Sequence, residues 1–323
     1  MPRVGVRLSL FVGAACVALS CAACSSSGGA SKGGSPAGRA TSGPGSASVS
    51  GPAGSSSDAS SNSFVAQVKS AGELKIGIAA APPYVVLDPS SGQWTGPYAD
   101  FARYWANQLG VKATFVQSTF ETMVAGIQAN AFQIGMDLTD TPVRERAITF
   151  STPISYDIGV LIVKKAEATG KSFAQYAADS GKTICDVTGT SYDEALTSGK
   201  IHFSGNVLKL NSVQTCEAAL NAGRANAILY GWTAGDAFAQ ANSGVGLLFP
   251  EQPFVQENTG VGIGKANPEA LTALNAAIAS WKSDPSGYMT STKKYGVDQS
   301  PLRNAIQPVP GWAAQASQAQ YGS

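Results

Sequence analysis

Two stretches of this chain repeat one plan, and that repetition narrows the fold more than any other feature. "MVAGIQANAFQIGM" (Met123 to Met136) and "CEAALNAGRANAIL" (Cys216 to Leu229) each read as a helix, a turn of small and amide residues, and an apolar strand. Around them the body of the chain, Phe64 to about Pro301, alternates short apolar runs with helical patterns, which points to an α/β architecture. "ELKIGIA", "VKATFVQ", "FQIGMDL" and "IGVLIVKK" read as strands, and "YADFARYWANQLG" and "FETMVAGIQANA" as helices between them. A second round follows in "KTICDV", "SYDEALTSG", "NVLKL", "SVQTCEAALNAG" and "NAILY", closed by the strand "TGVGIGKA" and the helix "NPEALTALNAAIASWKSD". The echo is too weak to establish a duplication, and it suggests two lobes of similar construction, side by side. Ligands of open α/β sheets lie outside the carboxyl ends of the strands, so two such lobes can face each other across a cleft.

One segment concentrates charge. In "DLTDTPVRER", Asp137 to Arg146, half of the residues are charged, against 13% for the whole chain. It begins at the carboxyl end of the strand "FQIGMDL". Thr141 followed by Pro142 reads as an N-cap and first helical residue, and Arg144 lies in the first turn. A helix start suits an anion, and a guanidinium can grip a carboxylate with two parallel hydrogen bonds. The second lobe repeats the arrangement in "TGTSYDEAL", where Ser191 and Glu194 have capping-box spacing, Gly189 allows a close turn, and Thr190 and Ser191 offer N–H and hydroxyl groups. Either motif alone is an ordinary helix start. At equivalent ends of two α/β halves they point to a site for a small carboxylate.

The ends of the chain read differently. "MPRVGVRLSLFVGAACVALSCAAC", residues 1–24, has the basic start, apolar run and small closing residues of an export signal. Its apolar run is shorter than the ~20 residues a membrane helix needs. The segment resembles a bacterial lipoprotein signal, in which a cysteine carries lipid; "AAC" favours Cys24, and Cys21 in "ALSC" is the alternative. Residues 25–63, almost entirely Ser, Gly, Ala, Pro and Thr, cannot bury enough apolar surface to fold and read as a tether of roughly 30–35 Å. The tail, 301–323, reads as weakly ordered.

The net charge of +1 and the lack of a basic stripe give no reason to expect nucleic acid as a partner. Cys185 and Cys216 are an isolated pair in an exported body, which reads as a disulfide, two free thiols being the alternative. His202, the chain's one histidine, lies on a polar stretch, and no His-based triad, metal cluster or cofactor site can be assembled around it.

From Glu73 to Gly296 the chain resembles the extracytoplasmic solute-binding proteins of ABC importers, in the branch that binds polar amino acids. "ELKIGIAAAPPYVV", "FETMVAGIQANAFQIGMDLTDTPVRERAITFSTP", "ICDVTGTSYDEAL" and "GRANAILYGW" carry the resemblance, "TDTPVRER" most strongly. It implies a two-lobed, type II periplasmic-binding-protein-like α/β fold, with lobe 1 at 64–158 plus 257–300 and lobe 2 at 159–256. Arg144 would hold a ligand carboxylate, supported by Thr139 and closed upon by Thr190 or Ser191, with Phe120 and Tyr84 lining the pocket. The acid that pairs with the ligand's ammonium in that family is replaced here by Gly231, followed by Trp232. We therefore expect Asp137 to take over that charge and Trp232 to supply an apolar or cation–π wall; a solvated strand end at Asp137, or a ligand without an ammonium group, is the alternative. The implied protein is a monomeric, lipid-anchored, extracytoplasmic receptor that hands a small carboxylate-bearing solute, most simply an amino acid, to an importer permease and is not an enzyme. A dehydratase of the same architecture and a cell-wall adhesion module are the competing readings.

Overall fold

The structure, a computed structural model, describes residues 63–297. The signal, both candidate lipid-bearing cysteines, nearly all of the tether and the tail lie outside the described residues. Helix α1 (Phe64–Ala71), capped by the Ser63 side chain, feeds strand β1 (Glu73–Ile78). A short hairpin, β2 (Val86–Leu87) and β3 (Trp94–Thr95), precedes α2 (Pro97–Leu109). That helix stops where Gly110 adopts a left-handed φ of 73° and turns its N–H back onto the Ala106 and Asn107 carbonyls. Next come β4 (Lys112–Gln117), α3 (Phe120–Gln128), β5 (Ile134–Thr139), α4 (Pro142–Glu145), β6 (Ile148–Phe150) and β7 (Ser155–Lys164).

The second round comprises α5 (Lys165–Ala168), α6 (Phe173–Ala177), β8 (Thr183–Val187), α7 (Ser191–Thr197), β9 (Asn206–Leu210), α8 (Val213–Asn221), β10 (Ala227–Gly231), α9 (Trp232–Ala241) and β11 (Val245–Leu248). The chain then returns through β12 (Gln256–Gly264) to α10 (Pro268–Ser283) and α11 (Tyr288–Lys294).

Strand order across the main sheet is β4-β1-β5-β12-β7-β10-β8-β9. Its middle explains the shape. Strand β7 pairs with β12 through Ser155–Ile158 and then with β10 from Gly159 onward. Strand β12 pairs with β7 at Gln256–Thr259 and with β5 from Thr259 onward. Each long strand therefore belongs partly to one half and partly to the other. The buried apolar residues divide accordingly. One cluster runs from Phe64 to Ile154 and resumes at Val261, and the other runs from Ile158 to Val255. Two cores joined by two crossing strands make the two-lobed, type II arrangement, and the parallel strands β1, β5, β8 and β10 aim their carboxyl ends at the space between. Cys185 on β8 and Cys216 on α8 are bonded within the second core, their Cα atoms 5.5 Å apart.

Candidate functional site

The charged segment enters that space as its spacing implies. The Thr141 hydroxyl accepts from the Arg144 N–H (3.3 Å) and Pro142 opens the turn. This directs the guanidinium of Arg144 inward, where it is buried. Its Nη1 donates to the Thr139 carbonyl at 2.8 Å and its Nη2 to the Gly189 carbonyl of the other lobe at 2.7 Å. Gly189 has a φ of 75°, and a Cβ there would run into the backbone of Glu121 at the start of α3. Only glycine permits both the turn and this approach between the lobes. Tyr84 of lobe 1 adds a second bridge, its hydroxyl 3.2 Å from the Thr233 hydroxyl of lobe 2.

The cap of α7 differs from expectation. Thr190, not Ser191, is the N-cap; its hydroxyl accepts from the Asp193 N–H at 3.2 Å, and no Ser191–Glu194 box forms. The shift by one residue frees the Ser191 hydroxyl to donate to Oε1 of Glu257, a residue of β12. Thr139 donates to the same oxygen at 2.8 Å, and the Tyr192 hydroxyl donates to Oε2 at 2.8 Å. The hydroxyls expected to receive a guest carboxylate thus hold one from the chain itself.

Two further acids share the cavity. Asp157 on β7 is the cross-strand partner of Glu257. Its carboxyl accepts from the Ile158 N–H at 2.8 Å and from the Thr233 N–H at 3.2 Å, at the start of α9. A Cβ on Gly231 would stand 2.5 Å from Asp157 Oδ2 and 2.9 Å from the Tyr192 hydroxyl, so the space left by the absent residue-231 side chain is filled by the Asp157 carboxyl. Burial, with the nearby charge of Glu257, pushes that carboxyl up to about 8.

Asp137 owes its direction to a bulge. Leu138 pairs with Gly260 and Met136 with Val261, leaving Asp137 as the extra residue, at a φ of 59°. Bulges re-aim side chains, and aspartate tolerates this conformation better than most residues. Its side chain faces the cavity while the residue is only 8% exposed, and among the described residues its carboxyl has no hydrogen-bond or ion-pair partner. Burial first, then the charges of Glu257 and Asp157, raise its pKa well above the ordinary range, against the pull of Arg144. Burial in turn lowers that of Arg144, with Glu257 the largest opposing influence.

The space between the two cores comes to about 470 Å³ when its open mouth is counted, of which about 40 Å³ is enclosed room for water-sized groups. Arg144, Thr139, Asp137, Thr190, Ser191, Phe120 and Tyr84 all line it. Trp232 does not. It packs edge-to-face on Phe249 (5.4 Å, 83°) inside the second core, so it forms no cation–π wall; Tyr192 and Tyr230, with centroids 5.5 Å apart, stand in the cavity instead. His202 is exposed and away from the cavity lining. Asp157, Glu257, Tyr192 and Tyr230 escape the sequence reading. The one available signal is a lone acid within the apolar strand "YDIGVLIV". Among the described residues no group of three or more His, Cys, Asp or Glu residues is arranged to hold a metal.

The model of the bacterial extracellular solute-binding proteins, family 3, matches residues 74–296. The chain belongs to that family. This family 3 binding protein is 28% identical over 236 residues to the L-cystine-binding protein TcyJ of Escherichia coli K12, covering 72% of this chain and 86% of that one. It is 24% identical over 229 residues to the ABC transporter arginine-binding protein 1 of the same organism, covering 69% and 90%. Among solved structures, the ancestral amino acid-binding protein AncCDT-1, a precursor of cyclohexadienyl dehydratase, superposes with a TM-score of 0.65 at 26% identity, covering 72% of this chain and 99% of that one. The matched part of the family 3 protein thus spans most of the length of each of these relatives.

Proposed function

We propose that this protein captures a small amino acid or amino-acid-like solute between its lobes and delivers it to an ABC importer permease. One observation carries the reading. Arg144 of lobe 1 and the Gly189–Ser191 turn of lobe 2 meet directly across a buried cavity, with the Nη2–carbonyl bond of 2.7 Å as the join. A site assembled from both lobes exists only when they are closed, and closure is the state a permease can distinguish. Asp157 and Asp137 are the acids available to the solute's ammonium group, Asp157 in the space vacated at Gly231. Arg144, with Thr139, Thr190 and Ser191, forms the opposite end, and Phe120 and Tyr84 are its apolar and hydroxyl-bearing walls. The lobes are 64–158 with 257–300, and 159–256. The binding proteins for cystine and arginine among its relatives support an amino acid as cargo.

In the same reading the protein is a monomer outside the cytoplasmic membrane, held there by lipid on Cys24, with Cys21 as the alternative, through the tether at 25–63. It returns its solute chemically unchanged. Calorimetry with the common amino acids, followed by mass spectrometry of the recovered ligand, tests this. Submicromolar binding of an unaltered solute supports it, while turnover of the ligand or failure of every solute to bind refutes it.

A further inference from the structure

We propose that Glu257 is a built-in carboxylate that fills the anion cradle of the cleft from within, so that the guest is recognised by its positive charge and its own carboxyl group is dispensable. The inference rests on the solute-capture reading and specifies its substrate class: a small organic cation bearing ammonium or guanidinium groups, with or without a carboxylate.

Three observations carry it. First, both oxygens of Glu257 are engaged, Oε1 by the Thr139 and Ser191 hydroxyls and Oε2 by the Tyr192 hydroxyl. These are the donors that would otherwise meet a guest's carboxylate, and they come from both lobes. A free anion would have to displace a tethered one already in place, a competition weighted towards the tethered group by its high effective concentration. Second, Arg144 directs Nη1 and Nη2 at backbone carbonyls, which fixes it as a clasp between lobes. Third, acidic groups outnumber basic ones. The cavity lining carries the carboxyl groups of Asp137, Asp157 and Glu257 and the single guanidinium of Arg144. Two carboxyl groups are left over, and one of them, on Asp137, is more than nine-tenths buried, turned into the cavity by its bulge, and without a partner among the described residues. An unpaired buried acid is costly unless a cation or donor reaches it. An ammonium or guanidinium group in the cavity meets that need, and a second carboxylate worsens it.

The experiment is calorimetry on the mature protein with matched pairs: L-arginine and agmatine, L-lysine and cadaverine, with L-glutamate and L-glutamine for comparison. The amine of the best pair should bind within about tenfold of its amino acid, and L-glutamate should give no heat. Glu257→Gln and Asp137→Asn, both nearly isosteric, should weaken that amine at least about tenfold, with cooperative thermal unfolding showing that each is folded. A cationic amino acid that binds while its amine is more than about a hundredfold weaker overturns the proposal. Tight binding of L-glutamate or L-glutamine with silent amines overturns it too, although solute capture then stands. Failure of all six probes overturns this inference, and the capture reading is then decided by the screen of the common amino acids.

Discussion

Asp157 and Glu257 stand directly opposite each other on the two strands that cross between the lobes. Cross-strand partners project on one face of the pair, and like charges so placed are destabilising. The fold tolerates them by dividing the load. Glu257 is wrapped in hydroxyls, and Asp157 is held by backbone N–H groups with its carboxyl shifted up to about 8.

The sign of the resulting pH dependence follows directly. Asp157 keeps its proton in the folded protein far above its ordinary value of 3.8, so between about 4 and about 8 the folded state binds more protons than the unfolded one. Its contribution to stability therefore declines as pH rises through that window. Asp157→Asn should raise the melting temperature at pH 8 by about 2–4 °C for each kcal/mol recovered, with little change at pH 4, and should weaken the natural guest. Scanning calorimetry at the two pH values tests this; an equal shift at both would exclude ionisation as the cause.

Arg144→Lys keeps the charge but cannot span both the Thr139 and Gly189 carbonyls with a planar fork. Losing charge-assisted bonds of this kind costs about 1.5–3 kcal/mol. We expect guest affinity to fall roughly ten- to hundredfold, mainly through faster release. Stopped-flow dissociation is the measurement, and a variant with wild-type release would show that the clasp is idle.

Gly231→Ala tests the substitution of one acid for another. The new methyl group would press on Asp157 Oδ2, at 2.5 Å before relaxation. Overpacking of this kind costs about 1–3 kcal/mol, and it displaces the acid from the cavity. Both melting temperature and affinity should drop, and an unperturbed variant would mean that Asp157 does not occupy that space in solution.

Trp232→Phe separates core from site. Because Trp232 packs on Phe249 inside the second core, the change should reduce stability by roughly 1–3 kcal/mol and leave affinity within about twofold. A large affinity loss in a stable variant would restore Trp232 to the cavity wall.

Reducing the Cys185–Cys216 bond, or replacing both residues by alanine, should cost on the order of 3 kcal/mol in unfolding free energy. Guest affinity at low temperature should persist, because neither cysteine lines the cavity. Denaturant melts with and without reductant, set beside calorimetric titrations, distinguish these two effects.

What could be read from the sequence depended on range. The stop of α2 at Gly110, the Thr141–Pro142 start and the two-round α/β plan are written in neighbouring residues, and the structure follows them. The choice between Thr190 and Ser191 as cap is not. Two adjacent hydroxyls satisfy the same pattern, and only the extended backbone of Thr190, φ −81° and ψ 168°, decides it. Trp232 was misplaced because β10 is buried throughout and carries no alternation to show which side meets the cavity. Asp157 and Glu257 could not be paired at all. Their meeting depends on the register of β7 against β12, a contact between segments far apart in the chain, just as the direction of Asp137 depends on a bulge between β5 and β12 that no local motif announces.

Carrying acids on the crossing strands, rather than on the lobe faces, has a kinetic consequence. Were the lobes to part, Ser191 and Tyr192 would withdraw with theirs, while Asp157 and Glu257 would stay side by side on their paired strands. A parted molecule would then show the medium an acidic pole deep in its waist, and field lines focused there would draw passing cations inward. Speed of capture should accordingly rise as salt is diluted.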